Sequence, residues 1–336
     1  DLLRLFAVQA AASVLTDEDR AAGFGRLLDW YLARTTAAMR LLYAGMVRLP
    51  VDDGLPADPG FADVDAAEAW LRDELDGLAA AIDAAAEQRS PRSWQLADQL
   101  RGYFFLRRDT VTWLRTGRAG LAAAEAAGDH RAQAAMHQTV GQAQWSLGRH
   151  QLALEAYQRG VSAARLGGWP LGEAYLLHNR GLVQGELGHV DEAQENYHEA
   201  LRLATGPEFA HVRAVTLNDL GTICSEQGRL TEAVDHFTAA LAINQGDARR
   251  RSAMSQQLNL GMVLRQLEEF DPARGHLGTA MTYFSEAGDF HGEMCALDEL
   301  SQLYAQLGEW SAAVDTGDRA LRLAVRLGDV RATAAL

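Results

Sequence analysis

The chain has 336 residues, of which 48% are hydrophobic, and its 45 acidic and 31 basic side chains give a formal net charge of −14. The 60 alanines and 7 prolines favour helix throughout, because alanine has the highest helix propensity and proline the lowest. All 31 basic residues are arginines, which excludes a P-loop lysine or a Schiff-base lysine, and the acidic balance argues against direct nucleic-acid contact.

The cysteines and the hydropathy pattern favour a cytoplasmic protein. Cys224 and Cys295 are the two cysteines, and they form neither a C-x-x-C pair nor a disulfide framework. No stretch reaches 18 apolar residues, so no membrane span is predicted.

The first ninety residues predict three segments. Residues 1–47 form a helical region, whose first 15 residues are the tail of a preceding element and whose capping box at Thr16 opens a helix. Residues 48–64 are a loop, because they contain three prolines and two glycines. Residues 65–90 form an acidic linking helix.

Charge is concentrated in two places. Residues 51–90 hold 11 acidic and 2 basic side chains, and Arg249, Arg250 and Arg251 are consecutive. The acidic stretch is either a solvated helix and linker or a contact for a basic partner. The three arginines are either a solvated junction or a contact for an acidic neighbour such as residues 51–90.

A 40-residue period follows residue 90. The turn position is occupied by Gly148, Gly188, Gly228, Glu268 and Gly308. A helix-interior glycine or serine position is occupied by Gly141, Gly181, Gly221, Gly261 and Ser301. A small position is occupied by Ala153, Ala193, Ala233, Ala273 and Ala313. We expect each period to be a helical hairpin in which the first-helix glycine meets the second-helix alanine, and an aromatic residue fills the space toward the next hairpin.

The period predicts about six repeats in residues 91–336. Their expected bounds are 91–130, 131–170, 171–210, 211–250, 251–290 and 291–330. The first repeat is degenerate, with Arg108 at the turn and Trp113 at the small position, and we expect it to act as a cap. Polar N-cap residues predict that second helices start at Gln151, Asp191, Thr231, Asp271 and Ser311, with Pro272 as the first helical residue.

The order small residue, Leu-Gly turn, alanine, aromatic, alanine resembles the tetratricopeptide repeat. The resemblance covers about 200 residues well and implies an all-α fold, a right-handed α-solenoid of helical hairpins. Such solenoids are binding surfaces for very different partners, so the motif is informative about fold rather than about ligand.

A second resemblance extends over most of the chain. The opening Asp-Leu-Leu-Arg-Leu-Phe-Ala, the block from Leu27 to Leu32, the block from Trp70 to Leu75 and the run from Leu96 to Trp113 are similar to segments of AfsR-type actinobacterial regulators. This resemblance implies that the chain is the C-terminal arm of a transcription regulator of the signal-transduction ATPase type. A nucleotide-binding domain would then lie upstream in the same protein and would be its partner.

No motif predicts catalysis, a metal site or a cofactor. The histidines lack a cysteine partner or an H-E-x-x-H frame, and no glycine-rich nucleotide loop or G-x-S-x-G sequence occurs. His236 and His276 recur at one repeat position, which indicates scaffold residues. We expect no enzymatic activity in this segment.

The candidate site lies on the first helices, which line the inner face of such hairpin stacks. Asparagine recurs two or three residues before the helix-interior glycine, at Asn179, Asn218 and Asn259. The amide side chain can pair with both the N–H and the C=O of a peptide bond, so the row predicts a groove for an extended peptide. Alternatively, these asparagines bond neighbouring helix ends and only stabilise the superhelix. The candidate partner-binding residues are His178, Asn179, Asn218, Asp219, Asn259, Met262, Arg265, Asp298 and Gln302.

The charges beside the row indicate which ligand fits. Asp219, Asp298 and Glu299 would repel a free C-terminal carboxylate. A neutral or basic internal peptide is therefore expected, with no membrane contact. The leading hypothesis is a regulatory module for binding a protein or peptide, within a nucleotide-switch regulator. The alternative is a free-standing adaptor or peptide receptor without an ATPase.

Overall fold

The computed structural model describes residues 14–43, 46–51, 54–58, 60–244, 246 and 249–328. The described residues are helical or lie in turns and loops, and none of them is in a strand. The chain divides into two compact units, Asp1–His189 (unit 1) and Val190–Leu336 (unit 2). The expected tail of a preceding element lies almost entirely outside the described residues.

The described part of unit 1 contains seven helices. They are α1 (Asp17–Leu42), α2 (Val64–Glu87), α3 (Arg92–Arg107), α4 (Thr110–Ala127), α5 (His130–Ser146), α6 (His150–Leu166) and α7 (Pro170–Glu186). The described part of unit 2 contains seven more. They are α8 (Val190–Leu203), α9 (Ala210–Glu226), α10 (Leu230–Ile243), α11 (Arg250–Gln266), α12 (Phe270–Glu286), α13 (Phe290–Gln306) and α14 (Trp310–Leu327), with a short 3-10 helix at Pro207–Phe209.

Successive helices in each unit pack as a stack of helical hairpins. In unit 2 the hairpins are α9–α10, α11–α12 and α13–α14, and each second helix also packs against the first helix of the next hairpin. The first helices α9, α11 and α13 contact one another in that order. Unit 1 repeats the pattern with α3–α4 and α5–α6, followed by α7. The all-α solenoid architecture is confirmed.

One residue with positive φ closes each hairpin turn. Glycine provides it at most turns, as at Gly148 with φ of 68°, because a residue without Cβ adopts this conformation freely. Glu268 takes the same conformation with φ of 62°, and Arg108 does so with φ of 55°. The predicted left-handed turn position is therefore confirmed, including at the two positions that lack glycine.

The predicted N-caps of the second helices are wrong. The first helical residue lies two positions earlier than expected, as at His150, Leu230 and Phe270, so each expected cap residue is already the second residue of its helix. The residues before them make no side-chain cap hydrogen bond. Pro272 is the third helical residue rather than the first, and it is tolerated there because N–H groups of the first turn have no intrahelical partner.

The helix-interior glycine makes room for a large side chain rather than for an alanine. A Cβ on Gly221 would lie 2.7 Å from Cε1 of Phe237, and a Cβ on Gly261 would lie 2.5 Å from Cγ of Leu277. The nearest side chain to each of these glycines is thus a large apolar one on the second helix of the hairpin. Phe237 on α10 also shares a core cluster with Leu260 on α11, and Leu277 on α12 shares it with Leu300 on α13, so the large side chain joins successive hairpins as well.

A buried polar network holds the segment before α2 against α3. Asp98 and Arg101 are both at most 2% exposed and pair at 3.5 Å between Oδ1 and Nε. Asp98 Oδ2 accepts a hydrogen bond of 2.6 Å from the backbone N–H of Leu49, and Arg101 donates to the carbonyl of Val47. Burial raises the pKa of Asp98. These bonds fix the loop, because a buried charge is stable only when it is paired.

The acidic helix α2 packs within unit 1. Its apolar side chains Leu71, Leu78 and Ile82 are fully buried. Two of its carboxylates face arginines of the same unit, with Glu68 at 2.6 Å from Arg107 and Asp83 at 3.7 Å from Arg115. Part of the acidic charge is therefore matched inside unit 1.

Candidate functional site

The polar residues that the sequence places on first helices form a continuous row in unit 2. We call this row the unit 2 polar row, and it consists of Asn218 and Asp219 on α9, Asn259 and Arg265 on α11, and Asp298, Glu299 and Gln302 on α13. The row exists because three successive first helices pack side by side and present polar residues at neighbouring repeat positions. Most of its side chains are half-buried, so they combine fixed geometry with access to solvent.

Two asparagines link the first two helices of the row. Asn259 Nδ2 donates a hydrogen bond of 3.0 Å to Asn218 Oδ1, and Asn218 Nδ2 donates one of 3.3 Å to Asp219 Oδ1. Both amides therefore have a defined orientation. A primary amide has two donors and two acceptor lone pairs, so these bonds leave each side chain with further hydrogen-bonding capacity.

An arginine links the second and third helices. Arg265 donates from Nε to Glu299 Oε2 at 2.9 Å and from Nη2 to Gln302 Oε1 at 2.8 Å. Gln302 in turn donates to Asp298 Oδ2 at 3.2 Å. The Arg265 side chain is only 11% exposed, so its charge is used inside the row and is not presented to a ligand.

The remaining charge of the row is negative. Burial raises the pKa of Glu299, and the Arg265 guanidinium opposes this rise by stabilising the carboxylate. Asp219 lies next to Asn218 on α9, and Asp298 lies on α13. Because like charges repel, these carboxylates disfavour an anionic ligand.

The other candidate residues divide between surface and core. Met262 is half-buried on α11. Asn179 on α7 is half-buried, and its Nδ2 is buried without a hydrogen-bond partner among the described residues. His178 is only 8% exposed, so the structure places it in the core of unit 1 rather than on a ligand surface. The sequence prediction included it because it occupies the same repeat position as Asn218, three residues before the helix-interior glycine.

The arginine run has a partner within unit 2. Arg251 Nη2 lies 2.7 Å from Asp289 Oδ2, and Asp289 also caps α13 by accepting a hydrogen bond of 3.1 Å from the backbone N–H of Gly292. Arg251 is thus a contact for an acidic neighbour, and that neighbour is Asp289.

The sequence prediction missed an aromatic contact on the first helices of unit 1. Phe105 on α3 and Trp145 on α5 stack with ring centroids 6.3 Å apart. They lie 40 residues apart, which is the repeat period. This spacing alone could have indicated that the two rings lie side by side on neighbouring first helices. Phe105 is 38% exposed.

In the described part of the chain, no cluster of three or more His, Cys, Asp or Glu side chains is arranged to bind a metal ion. The described helices are also too short or too polar to span a bilayer.

Comparison with known proteins identifies the repeats and the fold. Two tetratricopeptide-repeat models match residues 134–165, 172–245 and 252–324, which together make up more than half of the chain. No curated protein sequence matches the chain significantly. Among solved structures, the STAND protein with a tetratricopeptide repeat sensor from Pyrococcus horikoshii is 13% identical with a TM-score of 0.62. That alignment covers 77% of this chain and 40% of the archaeal one.

Two other solved structures have a similar fold. RapI in its apo form is 13% identical with a TM-score of 0.56, and the alignment covers 78% of this chain and 95% of that one. The apo quorum sensor NprR from B. thuringiensis is 15% identical with a TM-score of 0.51, over 76% of this chain and 84% of that one. Tetratricopeptide-repeat solenoids bind proteins or peptides on extended helical surfaces. The chain belongs to the tetratricopeptide-repeat family.

Proposed function

We propose that the chain is a cytoplasmic sensor arm that binds an extended peptide segment on the unit 2 polar row. The observation that supports this most strongly is the Asn218–Asn259 pair, which is oriented across two helices and half-exposed. Amide side chains held one repeat apart can accept from and donate to the main chain of a peptide, which gives affinity without dependence on its sequence.

The charge of the row specifies the ligand class. Asp219 lies next to Asn218 on α9 and Asp298 lies on α13, while Arg265 is paired with Glu299. A free terminal carboxylate would be repelled by the two aspartates, and Arg265 is already paired. The preferred ligand is therefore an internal or amidated peptide that is neutral or basic.

We further propose that the chain is the repeat arm of a nucleotide-switch transcription regulator. Two comparisons support this: the Pyrococcus horikoshii protein joins a STAND ATPase to a tetratricopeptide repeat sensor, and NprR is a quorum sensor. In this proposal peptide binding favours one of two arrangements of the arm and its upstream nucleotide-binding domain, which is the requirement for a switch. A Walker A sequence encoded upstream of Asp1 supports the switch, and a reading frame without one favours the free-standing peptide receptor.

The peptide-binding proposal is tested with random nonapeptides. One pool has acetylated and amidated ends, and a second pool has a free C-terminal carboxylate. The full chain is expected to retain the blocked pool more strongly than the free pool. The double variant Asn218→Ala/Asn259→Ala should lose retention, whereas the exposed control Thr238→Ala should keep it. Equal retention by the parent and by a folded double variant would overturn the proposal.

A further inference from the structure

The first helices of unit 1 carry an aromatic surface, formed by Phe105 and Trp145, that has no role in the proposed function. The rings of Phe105 and Trp145 are nearly parallel, with an interplanar angle of 10°. Trp113 supports Phe105 from the side, at 6.4 Å and an angle of 87°, and is itself fully buried. Phe105 is thus held between two other rings while 38% of its surface stays exposed, which makes it a rigid platform.

A carboxylate lies at the edge of this platform. Trp145 Nε1 donates a hydrogen bond of 2.7 Å to Glu186 Oε2, and His150 Nε2 lies 3.8 Å from the same oxygen. The Glu186 side chain is 37% exposed. The platform therefore combines aromatic faces with a fixed negative charge that remains accessible to solvent.

The position of the platform adds further negative potential. Phe105, Trp145 and Glu186 each lie within the last three residues of α3, α5 and α7, respectively. The C-terminal end of a helix carries a partial negative charge and favours cations. Three such ends beside aromatic faces attract a positively charged group more strongly than any one of them alone.

The chain places its own arginines elsewhere. Within the described residues, guanidinium groups lie over rings such as Phe61, Tyr103 and Tyr283, but none lies over Phe105 or Trp145. Arg107, which is the last residue of α3, pairs with Glu68 at 2.6 Å. The platform is therefore available for a cation from another molecule.

We propose that Phe105, Trp145 and Glu186 form a site on unit 1 for an arginine or lysine side chain of a peptide. The cation stacks on the aromatic faces and pairs with the Glu186 carboxylate. This inference rests on the proposed peptide-binding function and adds a cation-binding site on unit 1. It is consistent with the net charge of −14.

The test uses four pools of end-blocked nonapeptides that are random except for a central Arg, Lys, Leu or Glu. The full chain should retain the Arg and Lys pools about two- to fivefold more than the Leu pool, the range expected for an exposed cation–π contact. The Glu pool should be retained least.

Two variants separate the ring from the charge. Phe105→Leu keeps an apolar side chain against Trp113 but removes the aromatic face. Glu186→Gln keeps an oxygen for the indole N–H but removes the charge. Both should reduce the preference for Arg and Lys toward unity while the Leu pool stays unchanged. The charge-matched control Glu125→Gln, at an exposed position of α4, should behave like the parent.

The outcomes distinguish this inference from the proposed function. Equal retention of all four pools by the parent would overturn the cation-binding site while peptide binding stands. A preference for Arg and Lys that persists in both folded variants would show that Phe105 and Glu186 only pack and cap Trp145. Failure of the parent to retain any pool would overturn both proposals.

Discussion

Asn259 on α11 donates a 3.0 Å hydrogen bond to Asn218 on α9, and this bond joins the first helices of two successive repeats. Arg265, also on α11, joins that helix to α13, the first helix of the following repeat. The bond between the asparagines bears on two hypotheses from the sequence: that the asparagines bind an extended peptide, and that they only stabilise the superhelix. The single bond between the two asparagines stabilises the stack, and each amide keeps further hydrogen-bonding capacity on a half-buried side chain. A structural role and a ligand-binding role therefore use different donors and acceptors of the same side chains.

The asparagine pair should contribute modestly to stability. Replacing Asn259 with Ala removes one half-buried hydrogen bond, which is worth about 0.5–1.5 kcal/mol. Replacing Asn218 as well should cost less than the sum of the two single changes, because both remove the same bond. A double-mutant cycle by denaturant unfolding measures this coupling, and strictly additive costs would contradict the bond.

The buried arginine should stabilise α11 against α13 in a manner that depends on pH. Arg265→Met leaves Glu299 buried without its cation, at a cost of about 1–3 kcal/mol at neutral pH. Because burial raises the pKa of Glu299, the folded state binds protons more readily than the unfolded state above pH 4.5. The cost of Arg265→Met should therefore shrink as the pH falls toward that value.

A second substitution, at Glu299, provides the control for the predicted pH dependence of Arg265→Met. Adding Glu299→Gln to Arg265→Met should recover part of the lost stability at pH 7, because no uncompensated carboxylate remains. Chemical denaturation at pH 7 and pH 5 measures both effects. A cost that is equal at the two pH values would contradict the assignment to Glu299.

A buried histidine of α5 should limit stability at acidic pH. Burial, with a smaller contribution from the Arg159 charge, lowers the pKa of His137 to about 4. Between pH 6.5 and pH 4 the unfolded state then binds more protons than the folded state, so stability falls as the pH falls. His137→Gln should flatten this decline in a series of melting temperatures. The exposed His189→Gln should leave the decline as in the parent.

The repeat register is tested by overpacking one small position. Ala233 is fully buried in the core cluster that contains Phe237, and Ala233→Trp should cost about 1–3 kcal/mol. Ala239 lies on the same helix but is exposed, so Ala239→Trp should leave the free energy of unfolding nearly unchanged. Equal melting temperatures for the two variants would contradict the assigned register.

The fold could be predicted from the sequence because each hairpin turn requires one positive φ, and glycine marks it at a fixed period. Gly148 and its equivalents made that period visible, and Glu268 could be placed at the same turn by spacing alone. The N-caps could not be placed, because the turn residue determines where the next helix begins. Side chains such as those of Thr231 and Asp271 follow that start instead of setting it.

The site was predictable as a set of positions but not as a set of bonds. Asn218 and Asn259 occupy neighbouring, non-identical repeat positions, and only the stagger of α9 and α11 brings their amides together. The burial of Arg265 depends on Glu299 and Gln302 of another helix. Periodicity along one chain does not contain this information, so His178 was assigned to the surface although it lies in the core.

The most direct test of the central claim is affinity capture from a lysate of the source organism. The full chain is compared with Asn218→Ala/Asn259→Ala, matched for folding by circular dichroism, and the bound peptides or proteins are identified by mass spectrometry. We predict a ligand with a neutral or basic extended segment that the parent holds and the variant loses. Capture of the same ligand in equal amount by both would contradict a binding role for the unit 2 polar row.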